Sequence, residues 1–153
     1  MAANTQPIFS LTPNIGRCKI TTTYAQVKSD GTSAGTSNDF MVKTFTAGGN
    51  GSYVDKVRFN SVASAAAVNS VATTLRVYIS TVASPGATTS SDTQLLAEIS
   101  VPIVASSHST NASNYYEVPL GIAIPTGTYI HVSQHIAQTT NQTWQATVFG
   151  GDY

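Results

Sequence analysis

Three histidines, seven carboxylates and one cysteine are the groups in this 153-residue chain with the chemistry to catalyse a reaction or hold a metal. Hydrolysis needs a nucleophile beside a base, or two carboxylates converging on one bond. The acids are Asp30, Asp39, Asp55, Asp92, Glu98, Glu117 and Asp152. No two share a motif that brings them together, and they read as solvated charges on loops and strand faces. His131 and His135 stand four residues apart in a run that reads as a strand, which separates them by about 13 Å. That is too far to chelate one ion, and His108 would have to complete the set from elsewhere in the fold. Cys18 has no partner for an internal disulfide and no CxxC or Cys/His neighbour, so it reads as a small, partly buried strand residue. Gly48-Gly49-Asn50-Gly51 has the glycine density of a phosphate cradle, but it joins strand to strand with no helix behind it. The chain contains no GxGxxG, Walker or GxSxG motif. Neither a catalytic residue, a metal site nor a cofactor is expected.

Exposed aromatic rings stack on sugars, and Tyr78, Tyr115, Tyr129 and Trp144 are the candidates for that role. Trp144 sits at alternate spacing in an apolar strand, which favours the core. Tyr115 and Tyr116 are adjacent and must point to opposite faces. Charge argues against other ligands. Lysine plus arginine balance aspartate plus glutamate, charged residues make up 9% of the chain and the pI is near 6.8, so a nucleic-acid or anionic-membrane footprint is missing. No apolar run approaches the roughly 20 residues that span a bilayer. The opening MAANTQPIF lacks the basic and apolar regions of a secretory signal, so synthesis and folding in a cytoplasm are expected. Without such a signal the sequons at Asn50, Asn111 and Asn141 carry no weight.

The elements that would position these residues are strands. A chain of this length forms one domain by default and buries roughly 70% of its unfolded surface without a staple. Residues 1–14, with Pro7 and Pro13 around the apolar Ile8, Phe9 and Leu11, read as an extended arm, and residues 15–153 as a single domain. Period-2 alternation marks strands over 15–27, 73–82, 94–103, 114–120, 129–136 and 142–149. Asp39–Asn60 reads as a β-hairpin, because two β-rich runs flank Ala-Gly-Gly-Asn-Gly-Ser. In its second arm Tyr53, Asp55, Val57 and Phe59 share one parity. Lys56, Arg58 and Asn60 share the other, free to meet water or a partner. The alanines of 61–72 allow a helical turn but offer no cap and no apolar stripe. Polar Gly/Ser loops fall at 28–38, 83–93 and 106–113, and Pro102 and Pro119 suit strand ends or edges. About eight strands without a three-turn helix predict an all-β antiparallel β-sandwich of jelly-roll type, with an immunoglobulin-like sandwich as the alternative.

Three stretches go further: Thr5–Gly16 (TQPIFSLTPNIG), Phe45–Phe59 (FTAGGNGSYVDKVRF) and Trp144–Tyr153 (WQATVFGGDY). Together they resemble a group of small structural proteins of tailed bacteriophages, encoded near the capsid genes, some of which look like capsid decoration (cement) proteins. The resemblance implies a virion protein on the outer capsid surface that binds and stabilises the head. Its implied partners are the major capsid protein and itself, as a homo-oligomer, typically a trimer at a local symmetry axis. The arm residues Pro7, Ile8, Phe9, Leu11 and Pro13 are the expected partner contacts. A head-fibre or tail-associated virion protein is one alternative, and a β-sandwich module binding a surface glycan is another.

Overall fold

β-Branched and aromatic residues at every second position suit a pleated surface with one buried side. The computed structural model describes residues 10–20, 41–65, 68–83, 92–107, 109 and 113–153. Ten strands run through them in chain order: β1 Thr12–Ile20, β2 Val42–Thr46, β3 Ser52–Ala63, β4 Val68–Asn69, β5 Thr73–Ser80, β6 Thr93–Val101, β7 Ala105–Ser106, β8 Tyr115–Ile124, β9 Tyr129–Gln134 and β10 Gln142–Asp152. The chain is an all-β antiparallel sandwich, with β1-β10-β3-β8 in one sheet and β2-β9-β5-β6 in the other; β4 and β7 form a two-residue ribbon. The eight long strands overlap the eight periodic segments of the sequence, although β1 starts at Thr12 and residues 21–27 of the first segment lie outside the described residues. Apart from β5 to β6, each step along those eight passes from one sheet to the other. This order is consistent with the jelly-roll wrap, whereas an immunoglobulin-like sandwich keeps several consecutive strands side by side.

The hairpin expected over Asp39–Asn60 does not form. β2 pairs with β9, and β3 lies between β10 and β8, so the 47–51 link crosses between sheets. Turn chemistry is local, but burial is not. Phe45 of β2 and Val54, Val57 and Phe59 of β3 all belong to the same core cluster, and they bury one another by facing across the sandwich. The glycine-rich link folds as a corner held by hydrogen bonds from Gly51 N to Gly48 O (3.0 Å) and from Ala47 N to Thr128 O (3.0 Å). Gly51 takes φ +92°, and a Cβ there would stand 2.7 Å from the Ile124 carbonyl oxygen.

Two bulges overturn the simple alternation. Pairing of β3 with β8 shifts between Val54 and Lys56, so Val54 is buried and Tyr53 exposed, although Tyr53 shares the sequence parity of Val57 and Phe59. Pairing of β5 with β6 shifts between Val77 and Tyr78. Leu96, Ala97 and Ile99 accordingly pack on the main core, while Leu95 joins Met41 and Tyr78 in a second buried cluster. Trp144 is fully buried, as its spacing suggests, and Tyr116 packs on it with ring centroids 5.8 Å apart. In the alanine-rich stretch, the described residues continue β3 to Ala63 and enter β4 at Val68, and none of them is helical.

One side of the sandwich is closed by the contact of β1 with β2. Asn14, Gly16 and Cys18 point inward from β1. Asn14 Nδ2 donates to Thr46 O at 3.1 Å, Cys18 Sγ lies 3.1 Å from Thr44 Oγ1, and Gly16 lies so close to the Thr44 carbonyl that no Cβ fits. The opposite border is β8, a strand interrupted by Pro119 and by Gly121 at φ +61°. Proline and a kink on a border strand discourage pairing with foreign strands.

Candidate functional site

Of the five arm residues singled out in the sequence, Pro7, Ile8 and Phe9 lie outside the described residues. Leu11 and Pro13 do not. Leu11 is 72% exposed, and its backbone N–H donates to Asp152 O at 2.7 Å. Pro13 is exposed within β1 opposite Gly151, so residues 12–14 of the expected arm are strand. From there the odd-numbered residues of β1, namely Pro13, Ile15, Arg17 and Lys19, all lie on the outer surface.

Strand register extends each of them into a row across the whole sheet. Ile15 stands beside Phe149, Lys56 and Pro119; Arg17 beside Thr147, Arg58 and Glu117; Lys19 beside Gln145, Asn60 and Tyr115. None of these twelve side chains is buried. The face therefore grades from an apolar corner, made by Leu11, Pro13, Ile15, Tyr53 and Phe149, to a basic field of Arg17, Lys19, Lys56 and Arg58.

Four of the chain's seven lysines and arginines are gathered here. Glu117 takes two of them: Arg58 Nη2 lies 2.6 Å from its Oε1 and Lys56 Nζ 3.1 Å. These bonds hold the Glu117 carboxyl below its ordinary pKa, Arg58 first and Lys56 second. Arg58 also lies over the rings of Tyr115 (5.0 Å to the centroid) and Phe149 (5.6 Å), and Lys56 over Phe149 (5.7 Å). Exposed ion pairs of this kind are screened by solvent and contribute little to folding, and so do exposed cation–π contacts. Their effect is to fix rings and cations in place rather than to hold the fold together. Arg17 and Lys19 have no ion-pair partner among the described residues. Among the described residues, Asp55, exposed at the β3 bulge, is the face's other carboxylate.

At the Lys19 end the face runs into an open polar cleft of about 420 Å³ lined by Lys19, Ser64, Asn141, Thr143 and Gln145 among others. Asn141 occupies the left-handed region at φ 67°. Among the described residues, no carboxylate lines this cleft.

The remaining titratable groups serve the scaffold. His131, fully buried in β9, has its Nε2 3.0 Å from the Val82 carbonyl, and burial pushes its pKa down. His135 lies outside β9, with Nδ1 3.2 Å from Arg76 Nη1; Arg76 in turn pairs with Glu98 at 3.1 Å. His108 lies outside the described residues, and no group of three metal-ligating side chains occurs among the described ones. Burial pushes the Cys18 thiol up, which keeps it protonated. Asp152 closes a corner, accepting bonds from Ser52 Oγ and from Asn14 Nδ2 (2.8 Å). Of the sugar-stacking candidates, Tyr78 and Trp144 are fully buried, Tyr129 is half-buried beneath Lys43, and Tyr115 is 60% exposed.

Sequence reasoning reached Lys56, Arg58 and Asn60 as an outward set, and alternation set Lys19 opposite Cys18 and Phe149 opposite Trp144, but Ile15 and Arg17 beside them were not singled out. Alternation along Leu11-Pro13-Ile15-Arg17-Lys19 was the available signal, yet it says nothing of which strands lie next door.

No family model and no curated protein matches this chain. Among solved structures, a chain of the "Cyanophage Pam1 capsid asymmetric unit" is similar with 13% identity and a TM-score of 0.39, over 100% of this chain and 93% of that one. A likeness at that level assigns neither family nor function.

Proposed function

We propose that the protein is a non-enzymatic bacteriophage virion protein that decorates the head, seated on the outer surface of the major capsid protein as a homo-oligomer, most simply a trimer. One observation carries this reading. The three stretches that resemble phage structural proteins are far apart in the chain, yet their described parts fall largely in β1, β3 and β10, three neighbouring strands of one sheet. Their outward side chains make a single apolar and basic surface, so the resemblance concerns one face of the molecule.

A head-fibre or tail-associated role would use the same face in another part of the particle. The glycan-binding alternative has weaker support, because two of its four aromatic candidates are buried. Electron microscopy of assembled particles, with the protein labelled, is the direct test. Density on the outer head shell is expected. Density confined to the neck, tail or fibres would move the assignment, and absence from purified particles would end it. Binding on a glycan array without binding to heads would favour the sugar module instead.

A further inference from the structure

We infer that the outer face of β1-β10-β3-β8 docks on a carboxylate-rich protein surface, with Arg17 and Lys19 as its ion-pairing residues and Leu11, Pro13 and Ile15 as its apolar anchor. The inference rests on the reading above and names the chemistry of the partner wall. Charge complementarity decides the occupant. The chain is neutral overall, but this face sets four cations against Glu117 and Asp55, and Glu117 is already shared between Lys56 and Arg58. Arg17 and Lys19 project from one border strand two residues apart, about 7 Å along it, with no carboxylate to neutralise them among the described residues. Among the described residues, the cleft beside Lys19 adds amide and hydroxyl groups and no acid, a setting that accepts a partner's carboxylate.

The apolar corner separates a protein partner from a simple polyanion. Leu11, 72% exposed just before β1, is followed on the outer surface by Pro13 and by Ile15 at 55% exposure, with Phe149 beside Ile15. A polysaccharide sulfate or a phosphate backbone gains nothing from them, whereas a protein surface with an apolar patch beside its acids is matched at both ends. The outer side of the other sheet offers no equivalent, since Tyr78, His131 and Ser133 are buried there.

The test uses the full chain and undecorated heads in a co-sedimentation titration at low and at physiological salt, with three variants. Arg17→Glu/Lys19→Glu reverses the two cations, Leu11→Ser/Ile15→Ser removes the anchor, and Lys43→Glu places a single charge reversal, half that change, on the other sheet. All five positions are exposed, and circular dichroism melting checks that each variant folds as the wild type does. The cation reversal is expected to weaken binding at least tenfold at low salt and to flatten its salt dependence. Loss of the anchor is expected to weaken it at both salt concentrations, and Lys43→Glu to leave it unchanged. Wild-type binding that neither double variant alters, or that reversal tightens, overturns the face while leaving the decoration role intact. Failure of the wild type to bind heads overturns the role and this inference together. Dextran sulfate retained as tightly as heads, with no loss in the Leu11→Ser/Ile15→Ser variant, makes the face a polyanion site and overturns the protein partner.

Discussion

His131 shows how one buried side chain couples this scaffold to pH. Its Nε2 lies within hydrogen-bonding distance of the Val82 carbonyl, while Nδ1 is buried without a partner, so the neutral ring fits and the imidazolium does not. Burial lowers its pKa from the ordinary 6.5, with Lys43 adding a smaller push in the same direction against the opposing Val82 bond. The unfolded chain then binds a proton that the folded one refuses. The stability this residue allows is complete above about pH 6.5 and is lost as pH falls through the folded value. Urea midpoints should drop between pH 7.5 and pH 5 in the wild type and stay flat in His131→Gln; equal slopes in the two proteins would remove His131 as the cause. Asp152 acts in a separate, more acidic window. Desolvation raises its pKa, but hydrogen bonds from Ser52, Asn14 and the Gly48 N–H outweigh this and hold it below 3.8, so its contribution fades only as pH falls through that lower value.

Between elements, the β1–β2 seam turns on a glycine. A Cβ at Gly16 would meet the carbonyl of Thr44, which is backbone and cannot swing away. Gly16→Ala should therefore destabilise the fold by about 1–3 kcal/mol, the range of an overpacked core, because β1 must back off from β2. At Gly49 nothing lies within 4 Å of an added Cβ, so Gly49→Ala should stay within about 0.5 kcal/mol of the wild type. Chemical denaturation of the two variants side by side measures the difference, and equal midpoints would mean that the seam is loose in solution. The seam also aims the docking residues. With Asn14, Gly16 and Cys18 turned in against β2, Pro13, Ile15, Arg17 and Lys19 must face out.

For the molecule as a whole, residues 10–13, from the described part of the proposed arm, lie at the apolar corner of the face. Among the described residues, the chain start is tied to the sandwich by the hydrogen bond from Leu11 N to Asp152 O, and Ser10 lies against Gly151. Deleting residues 2–9 should leave a folded β-domain, with a melting temperature within a few degrees of the full chain, that loses its oligomeric state or its hold on heads. Circular dichroism and sedimentation velocity check the first two readouts and co-sedimentation the third. An unchanged oligomer that still binds heads would remove the arm from docking, and unfolding would place it in the core.

The sequence by itself determined the class of the fold and most inward faces, because alternation is a property of each strand alone. Trp144, Ala146 and Val148 face in by spacing, and so do Tyr116 and Val118. Lys56, Arg58 and Asn60 were legible as an outward set for the same reason. Strand partners were not legible. The glycine-rich 47–51 link has the local chemistry of a hairpin, and the tertiary structure overrode it because Phe45 and Phe59 bury more by facing each other across two sheets than by lying side by side in one. Bulges were equally hidden, since a shift of one residue at Asp55 or Leu96 is decided by the neighbouring strand, and it moved Tyr53 outward and Leu95 to the second cluster. The candidate docking face depends on both. Arg17 and Arg58 are 41 positions apart in the chain, and Thr147 between them comes from its far end; only the register of β1 and β3 against β10 sets them in one row.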